Sequence, residues 1–210
     1  NQITGFYPGA MKFSKRFHLV QGGTLAEKPF VVISPNDPLA MMNFVKECVE
    51  LKIDYLFDPG MQLPRLSDED LKMGIEQASI VIGNDYEMAL ISKAFLRIKK
   101  KLKDTSGRDQ NQLWITTLGE KGARIEVEDT IYSIPPAKPK AVLDPTGAGD
   151  AWRAGFLAGF LSGQPLDVCG RMGSVASVYT VEKYGTQTHK FTKKEFEKRY
   201  EENFNDELRY

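Results

Sequence analysis

The sequence predicts an α/β fold with a mostly parallel sheet, and three observations predict it. Short apolar runs suited to buried strands alternate with longer helical patterns, turn residues such as Asp58-Pro59-Gly60 punctuate them, and the chain beyond Gly147 turns almost wholly helical. The chain has 210 residues, 41% hydrophobic and 27% charged, which suits a single domain over residues 1–210 with a sizeable core.

Taken in order, Phe30 to Ser34 and Tyr55 to Asp58 read as buried strands, separated by a helical pattern from Leu39 to Leu51. Asp68 to Ala78 reads as a helix, and Ile80-Val81-Ile82 as a strand that gives way to helix at Asn84. Leu113 to Thr117 is a further strand, followed by a turn bounded by Gly119 and Gly122. Ala123 to Glu128 and Thr130 to Ile134 form a hairpin around Glu128-Asp129, and Pro135, Pro136 and Pro139 mark an extended connection to Asp144. A helix follows through Leu161, on which Gly155, Ala158 and Gly159 leave a thin face for close packing against the sheet. A second helix runs from Pro165 to about Lys183, and Thr192-Lys193-Lys194-Glu195 is a capping box that opens the last one.

The chemistry concentrates at Asp144-Pro145-Thr146-Gly147-Ala148-Gly149-Asp150. Glycines around one alanine let successive N–H groups turn toward one point, and a helix starting there adds unpaired donors and its positive end, so the loop reads as an anion cradle. Asp150 sits in the first helical turn, placed to take a proton from a hydroxyl docked against the cradle. The same residues also suit a tight loop with Asp150 as a cap. Asn84 and Glu87 carry a similar ambiguity. Their spacing puts them on one helix face, fit to orient a hydrated cation, and equally fit to close a capping box.

These segments, with Thr116-Thr117-Leu118-Gly119-Glu120-Lys121-Gly122, resemble in order the signature regions of the ribokinase, or PfkB-type, carbohydrate and nucleoside kinases. The resemblance implies a ribokinase-like three-layer α/β/α fold and a set of roles. Asp150 would be the catalytic base, and the amides of Gly147, Ala148 and Gly149 would hold the transferring phosphoryl group. Asn84, Thr117, Gly119, Gly122 and Thr146 would bind the nucleotide, ATP. Glu87 and Asn84 would organise Mg²⁺ through water, and Asp144 with Gly185 would help form a monovalent-cation site of the K⁺ type. Small residues from Met172 to Ser177 would lie near the adenine, although ordinary helix packing explains each of them as well.

Residues Ile3 to Met11 and Tyr184 to His189 look most like nucleoside-kinase and adenosine-kinase-like members from prokaryotes. The resemblance therefore implies transfer of the ATP γ-phosphoryl group to a primary hydroxyl of a nucleoside. A sugar or sugar-phosphate kinase and a non-catalytic nucleotide-binding fragment are the alternatives. In the family the segment like Ile3 to Phe6 lies well inside the protein, so the chain is expected to be a C-terminal two-thirds, without the N-terminal strands, the lid and most acceptor contacts. A homodimer is a further expectation.

Formal net charge +0 and pI ≈ 6.9 supply no basic face for nucleic acid. There is no Gly-x-x-x-x-Gly-Lys-Ser/Thr loop, which excludes a P-loop enzyme. Cys48 and Cys169 read as buried thiols within helices, no apolar run spans a bilayer, and the cytoplasm is expected. Arg97 to Lys103 reads as a solvated helix end, His189 as a solvated loop residue, and His18 has no evident partner.

Overall fold

The structure, a computed structural model, describes residues 6–20, 27, 29–102 and 111–208. The chain divides into two compact units, Asn1–Trp114 and Ile115–Tyr210.

In the first unit β1 (Phe30–Ile33), β2 (Asp54–Phe57) and β3 (Ile80–Asn84) pair in parallel in that order, with Phe30 opposite Asp54 and Leu56 opposite Ile80. Helices α1 (Pro38–Leu51), α2 (Asp68–Glu76) and α3 (Asp85–Leu102) alternate with them. Local chemistry sets their ends. The Asp37 carboxylate accepts from the N–H groups of Leu39 and Ala40 with Pro38 at the first helical position, and Lys52 closes α1 in the left-handed region at φ 54. Ser67 and Asp70 close a reciprocal capping box at the start of α2. Tyr55, Leu56, Phe57, Ile80, Val81 and Ile82 are all buried, so consecutive residues on both faces of β2 and β3 are covered, as parallel strands between helices require. Met41, Val45, Ile75 and Trp114 complete that core. Gln112 donates to the carbonyls of Ile75 and Ala78 at 2.5 and 2.7 Å and accepts from the Trp114 indole at 2.9 Å, fixing the entry to β4 (Leu113–Thr117).

His18, expected without a partner, has Nδ1 2.7 Å from Glu47 Oε1, while Glu47 Oε2 accepts from the Leu19 N–H. The pair spans 29 residues of sequence, beyond the reach of any local pattern. Arg97 also pairs with Asp68 while its side chain stays exposed, as a solvated helix end requires. Lys103 at the end of that charge run, and Ile3 to Gly5, lie outside the described residues.

In the second unit β5 (Ala123–Val127) and β6 (Thr130–Ile134) form the expected antiparallel hairpin, Val127 opposite Thr130, with Glu128 at φ 50 in its two-residue turn. Gly122 precedes it at φ 89, and a Cβ there would meet the Ile134 carbonyl oxygen at 2.0 Å, so only glycine fits this bend. Helices α4 (Ala148–Leu161), α5 (Leu166–Val181) and α6 (Lys193–Phe204) follow, the last opened by the Thr192–Glu195 capping box. The thin face of α4 packs on α5 and not on the sheet as expected. A Cβ on Gly155 would meet the Met172 carbonyl oxygen at 2.6 Å and the Gly173 Cα at 2.9 Å, and one on Gly173 would meet the Trp152 ring at 2.8 Å. Glycine on both helices lets their backbones approach where larger residues would hold them apart. His189 is half-buried, 3.4 Å from the Thr180 hydroxyl and stacked on Phe191, so it is not the solvated residue expected.

Candidate active site

The turn before α4 leaves backbone N–H donors at a helix start. Gly147 caps the helix at φ 84, and a Cβ on it would press into Thr186 at 3.1 Å, so conformation and space both require glycine. Asp144 ties the loop from below. Its Oδ1 accepts from the Thr146 N–H at 2.9 Å and its Oδ2 from the Gly185 N–H at 3.1 Å. These bonds, the Thr146 hydroxyl foremost, hold the Asp144 carboxyl below the usual carboxylate range. The loop thereby brings together Asp144, Gly147, Gly185 and Thr186 from two distant stretches of sequence.

The Ala148 N–H is committed to the Pro145 carbonyl at 3.1 Å, which departs from its expected place among the cradle donors. That bond closes a β-turn over Pro145 to Ala148. The N–H groups of Gly147, Gly149 and Asp150 make no such bond, and they are the donors the helix start leaves over. Thr146 turns its N–H and hydroxyl back onto Asp144, so it shapes the loop.

Asp150 lies in the first turn of α4 with its side chain 78% exposed, and it ion-pairs with the guanidinium of buried Arg153 one turn on. The pair leaves the carboxylate open to a ligand while fixing its direction. Arg153 was missed by the sequence reading, although its spacing of three from Asp150 was the available signal.

Beside this loop the second unit encloses a cavity of about 540 Å³. Thr117, Gly119 and Gly122, three residues expected at the nucleotide, line it. So do Gly149 and Ala148, with Trp152, Ser174, Ser177, Val178 and Val181 from the helices. The Ala137–Lys138–Pro139 stretch forms another wall that the sequence reading did not identify. The Ser174 and Ser177 hydroxyls donate to the carbonyls of Pro135 and Ala148, at 3.0 and 3.1 Å, and so brace the walls. Size and a largely apolar lining with a few polar groups at one end suit a heterocycle attached to an anionic tail.

Asn84 and Glu87 lie in the first unit at the junction of β3 and α3. Asn84 Oδ1 accepts from the Glu87 N–H and Glu87 Oε2 from the Asn84 N–H, both at 2.8 Å, so the capping box is closed. Glu87 Oε1 takes no part in it, which leaves one carboxylate oxygen for a hydrated cation. Among the described residues no three His, Cys, Asp or Glu side chains converge as a metal cage.

The comparisons with known proteins bear on the family and the fold. The family model described as pfkB family carbohydrate kinase matches residues 5–193. A nucleoside kinase of Methanocaldococcus jannaschii is 34% identical over 189 residues, covering 90% of this chain and 59% of that protein. Burkholderia thailandensis nucleoside kinase in complex with inosine superposes with a TM-score of 0.87 at 31% identity, covering 99% of this chain and 67% of that one. Its complex with ADP-inosine gives the same TM-score and covers 62% of that chain. The chain thus spans less than two thirds of the length of the curated nucleoside kinase it matches. Among the described residues no helix is long and apolar enough to cross a membrane. With its ordered signature segments, the match to the family model over most of its length and the ribokinase-like α/β fold of its structural neighbours, the chain belongs to the pfkB family of carbohydrate kinases.

Proposed function

We propose that the protein to which this chain belongs transfers the γ-phosphoryl group of ATP to a hydroxyl of a nucleoside. The observation that carries the reading is the exposed Asp150 carboxylate in the first turn of α4, beside the unpaired N–H groups of Gly147 and Gly149. A hydroxyl seated at this helix start gives its proton to Asp150 as its oxygen attacks phosphorus. The amides stabilise charge on the transferring group, and Arg153 holds the carboxylate toward the acceptor. The cavity lined by Thr117, Gly119, Gly122 and Ser177 takes the nucleotide base and sugar.

Mg²⁺ when bound neutralises phosphate charge, and Glu87 is the residue of this chain suited to hold it through water. Asp144 keeps lone pairs on both oxygens for a monovalent cation near Gly185. The choice of a nucleoside over a free sugar is supported by relatives that are themselves nucleoside kinases, one of them in complex with inosine. Burial pushes both free thiols, Cys48 and Cys169, up to about 11, keeping them protonated and inert, which suits a reducing cytoplasm.

The test is ADP release by the intact protein with ATP and Mg²⁺ across inosine, adenosine, cytidine, ribose and fructose 6-phosphate, with Asp150→Asn alongside. Release requiring a nucleoside is expected, falling by roughly 10²–10⁴-fold in Asp150→Asn with nucleotide affinity nearly kept. Undiminished turnover in the variant would remove Asp150 from the mechanism. Preference for ribose or fructose 6-phosphate would make the protein a sugar kinase.

A further inference from the structure

Ala137, Lys138 and Pro139 wall the cavity, yet they belong to no strand or helix. Pro135, Pro136 and Pro139 keep the stretch extended but lack N–H groups, so no ladder of backbone bonds can hold it. Its anchors come from the C-terminal helices. Asn203 Oδ1 accepts from the Lys138 N–H at 2.6 Å, and Arg199 donates from Nη2 to the Lys138 carbonyl at 3.1 Å. Both backbone polar groups of Lys138 are therefore taken by α6. Glu182, just past α5, accepts from the Lys140 N–H at 2.5 Å and ion-pairs with Arg199, the two side chains being only 13% and 6% exposed. Asn203 is set in turn by its own donation to the Arg199 carbonyl at 2.7 Å. The family match ends at residue 193, where α6 begins.

We propose that α6 positions the nucleotide site, with Asn203, Arg199 and Glu182 as positioning residues that fix the Ala137–Pro139 wall. The inference rests on the reading that this cavity takes the nucleotide. Buried Ala137 and the Ser174 bond to Pro135 hold the near end of this wall, and Lys138 to Lys140 depend on the polar contacts to Asn203, Arg199 and Glu182, so loosening one of these lets the far end drift from the ligand face. The apolar contacts of α6, through buried Phe196 and Tyr200, are untouched by a change at Asn203. The Glu182–Arg199 pair is a poorer probe, because removing one partner strands a buried charge.

Asn203→Ala and Asn203→Asp in the intact protein supply the test, read as KM for ATP, KM for the nucleoside, kcat and Kd for ADP. For Asn203→Ala the KM for ATP and the Kd for ADP should rise about three- to tenfold, as loss of one well-placed hydrogen bond allows, with kcat and nucleoside KM held. Asn203→Asp keeps an acceptor for the Lys138 N–H but loses the donation to the Arg199 carbonyl, so it should recover only part of the loss in both constants. Arg199→Lys, which keeps the charge but is too short to bring a nitrogen to where Nη2 donates to both Glu182 and the Lys138 carbonyl, should raise the same two constants and serves if Asn203→Ala fails to fold. Unmoved nucleotide constants in a folded variant, or an equal rise in nucleoside KM, would overturn the inference while leaving the nucleotide reading intact. A parent that shows no saturable dependence on ATP and no ADP binding would overturn the nucleotide reading itself, and this inference with it.

Discussion

Asp144 and Asp150 bracket the same short loop and do opposite things with their carboxylates. Asp150 stands in solvent reach with a guanidinium behind it, whereas each Asp144 oxygen accepts a backbone N–H, from Thr146 and from Gly185. Because its folded pKa is depressed, the contribution of Asp144 is fully present above its unfolded value of about 3.9 and is lost as pH falls through the lower folded value. It therefore stays ionised across the neutral range. Asp144→Asn should lower kcat at every pH while leaving the shape of the rate profile between about pH 5 and 8 unchanged. An acidic limb that disappears in the variant would contradict this assignment. The local geometry of the motif was legible, because a left-handed turn favours Gly147 and a helix start favours Asp150 in its first turn. What the residues alone left illegible came from distant sequence: Glu47 lies 29 residues beyond His18, and Gly185, 41 beyond Asp144, was set beside it only by the family resemblance. The Ala148 donor was misread for a different reason, since a turn bond to Pro145 depends on backbone angles that composition does not specify.

The strands and helices were legible nearly to their ends, because capping residues write helix boundaries into the sequence. Asp37-Pro38, Ser67 with Asp70, Asn84 with Glu87 and Thr192 with Glu195 all make the side-chain bonds their spacing allows. Which element a helix packs against was not legible, and α4 is the example. A small-residue stripe says that something comes close without saying what, and here it is α5. The contact gives a sharp expectation for Gly155→Val. Its side chain would have to displace the Met172 carbonyl and Gly173 Cα, both under 3.0 Å from a Cβ at this position. The helices must separate, at a cost of about 1–3 kcal/mol or more. Chemical denaturation of the intact protein should show that loss, and an unchanged midpoint would mean that the two helices have slack between them.

At the scale of the whole chain, the two compact units divide the expected site residues unequally. Asn84 and Glu87 fall in Asn1–Trp114, while every residue lining the cavity falls in Ile115–Tyr210. Parallel pairing of β1 to β3 and the antiparallel hairpin β5–β6 were both readable from periodicity, but that partition was not, since nothing local in Leu113 to Thr117 marks a boundary within one strand. If the cavity is the seat of the nucleotide, ADP without a divalent cation should act on the second unit alone. Amide hydrogen exchange gives the reading by segment. Exchange should slow in peptides covering residues 117–122 and 136–143, which carry residues that line the cavity, and stay unchanged in peptides covering residues 80–88. At a hundredfold excess over its Kd the ligand should stabilise the folded state by about 2.7 kcal/mol through mass action. If Glu87 holds Mg²⁺ through water as proposed, adding the metal should slow exchange in residues 80–88 as well. Protection of residues 80–88 by ADP alone, with 136–143 unaffected, would move the nucleotide out of the cavity and leave the Ala137–Pro139 wall without a ligand to position.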